Sequence, residues 1–196
     1  MKVILANYKN QELADAWKHY FEFESDVEVV DGDILSMEWD ALVAPGNSFG
    51  FMDGGIDLLI SKKYGWSIQT ELKKRINDSD IKELLVGQAE LLPIPDSSKH
   101  ILYSPTMRVP TSHLVSESVN AYLAMKTALT VAVKHNIKVL AISGLCTGTG
   151  GMKPEVSAKQ MFEAYDEIIN KNKKDFPMHM DASKHHFYLN NKTQNL

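Results

Sequence analysis

Two glycine-rich stretches and three side chains near them are the parts of this sequence best equipped for chemistry. The first stretch runs Pro45-Gly46-Asn47-Ser48-Phe49-Gly50-Phe51-Met52-Asp53-Gly54-Gly55 and continues into Ile56-Asp57. The second runs Ser143-Gly144-Leu145-Cys146-Thr147-Gly148-Thr149-Gly150-Gly151-Met152. Each follows a short apolar run and leads into a helical pattern. A glycine-rich loop between strand and helix is where an α/β protein holds an anionic ligand, because its N–H groups and the helix dipole converge there. Two such loops, both at strand ends, make the walls of a cleft.

The individual residues suggest which ligand. Gly54 and Gly55 let the backbone come close to a phosphate or a ribose. Asp57 falls in the first helical turn, where the dipole favours its ionised form. Its plain role is helix stabilisation; aimed into the cleft, it can hold or polarise a water molecule. Asn47 both donates and accepts, which suits a pair of sugar hydroxyls, although turns favour Asn in any case. Asp33, in Gly32-Asp33-Ile34, follows the apolar run Val27 to Val30. Its carboxylate can accept from the exocyclic amine of adenine and would repel the oxygen that guanine presents. Its plain role is to cap the next turn. Thr147, Gly148, Thr149, Gly150 and Gly151 can point amides and hydroxyls at a diphosphate. The second loop is neither a Walker loop, lacking GK[ST], nor a GxGxxG fingerprint in its usual place.

Other residues carry less. Cys146 is the only cysteine; it has no CxxC partner, and a nucleophilic role needs a base that the sequence does not place. His179, His185 and His186 lack metal-ligand spacing, so no metal and no cofactor is expected. Lys171, Lys173 and Lys174 read as a solvated helix end.

The elements that must position these residues alternate along the chain. Strands are expected at 2–6, 27–30, 41–44, 88–92, 100–103, 137–142 and 186–189. Helices are expected at 10–23, 56–64, 68–76, 116–134 with Ser116 as N-cap, and 154–170 with Pro154 in the first turn. This alternation predicts an α/β fold, a three-layer α/β/α sandwich with a mixed, mainly parallel sheet. The chain has 196 residues, 44% hydrophobic and 23% charged, which suits one domain over 1–196 with a frayed tail at 190–196. A net charge of −4 argues against a nucleic-acid grip. No apolar run approaches membrane-spanning length. A lone cysteine and no signal-like N-terminus point to the cytoplasm.

Taken together, Gly32-Asp33-Ile34, Asp40-Ala41-Leu42-Val43, the loop from Asn47 to Asp57 and the loop from Gly144 to Gly151 before Pro154 resemble the macro domain family, whose members bind ADP-ribose. The resemblance covers roughly residues 27 to 170. It implies that Asp33 accepts from the adenine amine beside the Ile34 backbone, and that Asn47 contacts the distal ribose. It implies that Gly54, Gly55 and Ile56 line that ribose, and that Asp57 matches the acidic residue of hydrolase-type members. Thr147, Gly148, Thr149, Gly150 and Gly151 would wrap the diphosphate, Cys146 and Met152 would join the ligand-binding residues, and Phe187 or Tyr188 would pack near the adenine. Two positions depart from the pattern. Ala44 stands where the family's loop has its first Asn, and glycines 150 and 151 replace an aromatic of many hydrolase-type members. The resemblance therefore implies either a hydrolase acting at the distal ribose, on ADP-ribose-1″-phosphate, O-acetyl-ADP-ribose or an ADP-ribosylated Asp or Glu of a protein, or a module that binds ADP-ribose without chemistry.

Overall fold

The computed structural model describes residues 1–111 and 115–190. Its elements are β1 (Lys2–Asn7), α1 (Gln11–Tyr20), β2 (Val27–Asp31), β3 (Ala41–Ala44), α2 (Gly55–Tyr64), α3 (Ser67–Asp78), β4 (Glu90–Pro93), β5 (His100–Tyr103), α4 (Asn120–Lys134), β6 (Val139–Ile142), α5 (Pro154–Ile168) and α6 (His179–Asn190). The strands form one sheet in the order β2-β1-β6-β3-β5-β4. Every pairing is parallel except β4 with β5. The expected mixed, mainly parallel sheet is what the chain forms.

The central strands are short and almost wholly apolar because both faces are covered. Alternate residues of β1 go to opposite cores: Val3 and Leu5 to one, Ile4 and Ala6 to the other. The first core is closed by α1, α4, α5 and Leu189 of α6. The second is closed by α2 and α3 through Ile60, Ile68, Leu72 and Ile76. These are the three layers. Trp17 is fully buried where α1 meets α5, and its indole N–H points at the sulfur of Met161 at 3.4 Å. Asn10 caps α1 by accepting from the Leu13 amide at 3.1 Å, and Pro154 opens α5 at a position where its missing N–H costs nothing. No helix among the described residues is long and apolar enough to cross a membrane.

Three expectations need correction. Residues 186–189 are not a strand but the last part of α6. A short apolar and aromatic run cannot be assigned to strand or helix by periodicity alone. Here Gln160 holds the Leu189 carbonyl at 3.3 Å and Tyr188 donates to Glu163 at 3.1 Å, both on α5. The helix α4 starts at Asn120 rather than at Ser116, and the hydroxyl that meets its first amide is that of Ser118, at 3.2 Å. Of the tail, Asn190 ends α6, and 191–196 lie outside the described residues.

Asp40 fixes the register at the start of β3. Its carboxylate accepts from the amides of Lys138 and Val139 at 2.9 and 2.8 Å. Its carbonyl accepts from the His100 amide at 2.9 Å. One residue thus ties β3 to both neighbours. Replacing Asp40 with Ala should lower unfolding free energy by about 1–3 kcal/mol, read as a reduced urea midpoint at unchanged slope.

Candidate functional site

The five parallel strands end on one edge of the sheet, at Asn7, Asp31, Ala44, Tyr103 and Ile142. The loops that leave them converge there, as expected for a parallel sheet. Between them lie two chambers. The outer holds about 660 Å³ and is lined by Asp33, Ile34, Ile56, Leu59 and Tyr8 among others. The inner holds about 320 Å³ and includes Asn47, Gly54, Gly55, Asp57, Cys146, Gly148, Thr149 and Gly150. Ile56, Ser143, Gly144 and Thr147 line both, so the chambers form one bent cleft.

Asp33 caps a turn and stands at the cleft. One carboxylate oxygen caps the turn at Ile34–Ser36 by accepting from the Leu35 amide at 3.0 Å. The residue also lines the outer chamber.

Asn47 is a brace of the first loop. Its side-chain oxygen accepts from the amides of Phe49 and Phe51 at 3.1 and 3.3 Å, and its NH₂ donates to the Phe51 carbonyl at 2.9 Å. Its backbone N–H donates to the Tyr103 hydroxyl at 2.8 Å, and that hydroxyl donates back to the Asn47 carbonyl at 3.0 Å. The preceding residue has to be glycine: a β-carbon on Gly46 would lie 2.0 Å from the Tyr103 oxygen. This ring is fully buried and cannot yield.

Asp57 is the unusual residue. It is only 6% exposed, and its Oδ1 has no hydrogen-bond partner. Burial, and then the charge of Asp53, push its carboxyl up to about 7. The helix dipole alone would favour the anion, but by only about 0.3–1 kcal/mol. Desolvation wins.

The second loop presents Thr147, Gly148, Thr149 and Gly150 to the inner chamber. Gly151 and Met152 were expected to join them, yet they line neither chamber. They close the loop from behind. The Gly151 amide donates to the Gly148 carbonyl at 3.0 Å and the Met152 amide to the Cys146 carbonyl at 2.9 Å, while the Met152 side chain is in the core. Gly150 tolerates no side chain, since a β-carbon would lie 2.6 Å from Val115. Cys146 lines the chamber, but burial pushes its thiol up to about 12, and Thr106 offsets only part of this. It is a poor nucleophile. Among the described residues no group of three or more His, Cys, Asp or Glu is placed to hold a metal.

Phe187 and Tyr188 line neither chamber, because α6 sets them against α5 or in solvent. The aromatic at the outer chamber is Tyr8, two-thirds exposed at the end of β1. Sequence reasoning missed it, along with Phe51, Asp53, Met107 and Pro110 of the inner chamber. Tyr8 had one signal, its place just after an apolar strand. Which loops that strand would stand beside was not readable.

Residues 26–175 match the family model described as "Macro-like domain". The chain belongs to the macro-like domain family. An uncharacterized protein of Aquifex aeolicus is 34% identical to this macro domain over 139 residues, covering 70% of the chain and 79% of the relative. Among solved structures, the macrodomain of Mycobacterium tuberculosis DarG superposes with a TM-score of 0.58 at 22% identity, covering 69% of this chain and 87% of that one. Thermosipho africanus DarTG in complex with ADP-ribose superposes with a TM-score of 0.57 at 17% identity, covering 88% of this chain and 55% of that one. At these identities the likeness is one of fold.

The state of Asp57 has a measurable consequence for the macro domain's stability. The unfolded chain ionises it near 3.8 and the folded chain near 7. Between those values the folded state binds more protons, so stability falls as pH rises. Above pH 7 the full penalty, of order 2–4 kcal/mol, is present. Asp57→Asn should therefore raise the melting temperature at pH 8 and leave it little changed at pH 4. Equal shifts at both values would refute a buried, strained carboxyl.

Proposed function

We propose that this macro domain binds ADP-ribose along the bent cleft and hydrolyses a bond at the distal ribose. The observation that carries the reading is Asp57, a buried carboxyl in the inner chamber whose Oδ1 has no hydrogen-bond partner. A buried group of this kind costs stability, and such groups concentrate at functional sites. Family membership and the ADP-ribose complex of Thermosipho africanus DarTG support the choice of ligand.

In this reading the outer chamber takes the adenosine. Asp33 accepts from the adenine amine, the Ile34 backbone lies beside it, and Tyr8 packs on the base. Thr147, Gly148, Thr149 and Gly150 receive the diphosphate with amides and hydroxyls. Gly54, Gly55 and Ile56 let the distal ribose sit against the start of α2. Asp57 takes a proton from the attacking water, and its value near 7 suits a base at neutral pH. Asn47 acts mainly through the loop it holds, with one amide hydrogen left for a ribose hydroxyl. Candidate substrates are ADP-ribose-1″-phosphate, O-acetyl-ADP-ribose and proteins ADP-ribosylated on Asp or Glu. The reaction needs no cofactor from these residues. The lone, buried cysteine suits a reducing compartment, and we place the protein in the cytoplasm.

A second reading, a module that binds ADP-ribose without turnover, is favoured by one observation. The side chain of Asn47 is largely taken up by its own loop, and Ala44 brings no polar group of its own to that edge.

Titration calorimetry should find micromolar binding of ADP-ribose, weakened about tenfold or more (about 1.4 kcal/mol) by Asp33→Ala. GDP-ribose should bind more weakly than ADP-ribose. Absence of binding at millimolar ligand would remove the proposal. Asp57→Ala should abolish ester hydrolysis while changing affinity by less than about tenfold. Wild-type turnover should rise with pH through about 7. Binding with no turnover of any of the three substrates would establish the second reading.

A further inference from the structure

We propose that Asp53 is a specificity-determining residue: it favours substrates whose group on the distal ribose is uncharged or cationic over those that carry a phosphate there. The inference rests on the ADP-ribose reading of the cleft and narrows its substrate class.

Asp53 immediately precedes Gly54 and is exposed, yet it lines the inner chamber together with Asp57. Its charge is felt at Asp57, where it is the second cause of the raised carboxyl. Among the described residues lining this chamber there is no Lys, Arg or His. Two cations stand on aromatic rings of the first loop, but neither lines the chamber. Arg108 lies 5.0 Å from the Phe49 ring and is held by both oxygens of Glu83 at 2.9 and 2.6 Å. Lys73 sits 3.9 Å over the Phe51 ring.

Among the described residues lining the chamber, the positive influences that remain are backbone groups. The start of α2 carries about half a charge. Against it stand one full carboxylate at Asp53 and a second at Asp57 that ionises around neutral pH. The amides of the second loop serve the diphosphate, which already brings two negative charges. A phosphate on the far side of the ribose would add up to two more beside the carboxylates. Like-charge juxtaposition of this kind is how sites reject a wrong ligand. Phe51, Met107 and Pro110 also line the chamber and offer apolar surface to an acyl group. Hydrolysis of such an ester adds one water across the carbonyl carbon–oxygen bond. It releases ADP-ribose and the free carboxylic acid, with no co-reactant.

The test is calorimetric titration of wild type, Asp53→Asn and Asp53→Glu with ADP-ribose and with ADP-ribose-1″-phosphate, at pH 7.5 and low salt. The quantity read is the ratio of the two affinities. Wild type should bind the phosphate derivative about tenfold or more weakly than ADP-ribose. Asp53→Asn should shrink that ratio to about threefold or less, Asp53→Glu should keep it, and added salt should reduce it in wild type. Equal or tighter binding of the phosphate derivative by wild type would overturn the inference, as would a ratio that Asp53→Asn leaves unchanged. If wild type binds ADP-ribose, such a failure leaves the proposed function standing; if wild type binds neither ligand, both fall.

Discussion

The molecule depends on the parallel register of β3 between β6 and β5. Ala41 to Ala44 have no exposed surface, and their backbone is tied to a strand on each side. Parallel pairing puts the C-terminal ends of five strands at one edge, so every loop that leaves a strand there enters the same space. The cleft is a consequence of that geometry. Asp40 holds one end of this register, and the Tyr103 hydroxyl holds the other by bonding both the amide and the carbonyl of Asn47. The first loop is therefore anchored to the sheet at its base and free to shape the chamber at its tip.

Within that frame the site opposes stability in one place. Asp57 is carried into a buried position by a helix whose apolar inward residue Ile60 packs in the core. Its carboxyl has neither a cation nor a full set of donors, and Asp53 makes the position worse for a charge. The surrounding fold supports this strain because the core on each side of the sheet is continuous. The same two carboxylates that destabilise the chamber give it electrostatic character, so the strain and the selectivity argued for the site have one origin.

The helix α6 shows a different physical solution. It contributes one buried apolar residue, Leu189, and otherwise docks through polar contacts. Glu163 receives Tyr188 at 3.1 Å and Lys174 at 2.6 Å, and Gln160 reaches the Leu189 carbonyl. Nearby, Lys126 pairs with Glu167 at 2.7 Å. These charged and polar pairs line one flank of α5.

The sequence by itself determined the layers and most of the elements. Apolar runs such as Ala41 to Ala44 and Ile101 to Tyr103, cut short by turn residues, read as strands buried on both faces, and the helix between residues 120 and 134 declares itself by its apolar spacing. It also identified the two loops that wall the cleft, since their glycines and the polar residues among them have local causes that are visible in a string of letters. Only the tertiary structure decided what those residues do. That residues 186–189 are helical follows from partners on α5 more than twenty residues earlier. That Tyr8, and not Phe187 or Tyr188, stands at the outer chamber follows from strand order, which composition does not encode. That Met152 turns into the core follows from the closing hydrogen bonds of its loop. The state of Asp57 is the clearest case. In sequence it is an acid at a helix start, stabilised by the dipole. In the fold, desolvation outweighs the dipole, because burial is a property of everything packed around a residue and not of its neighbours in the chain.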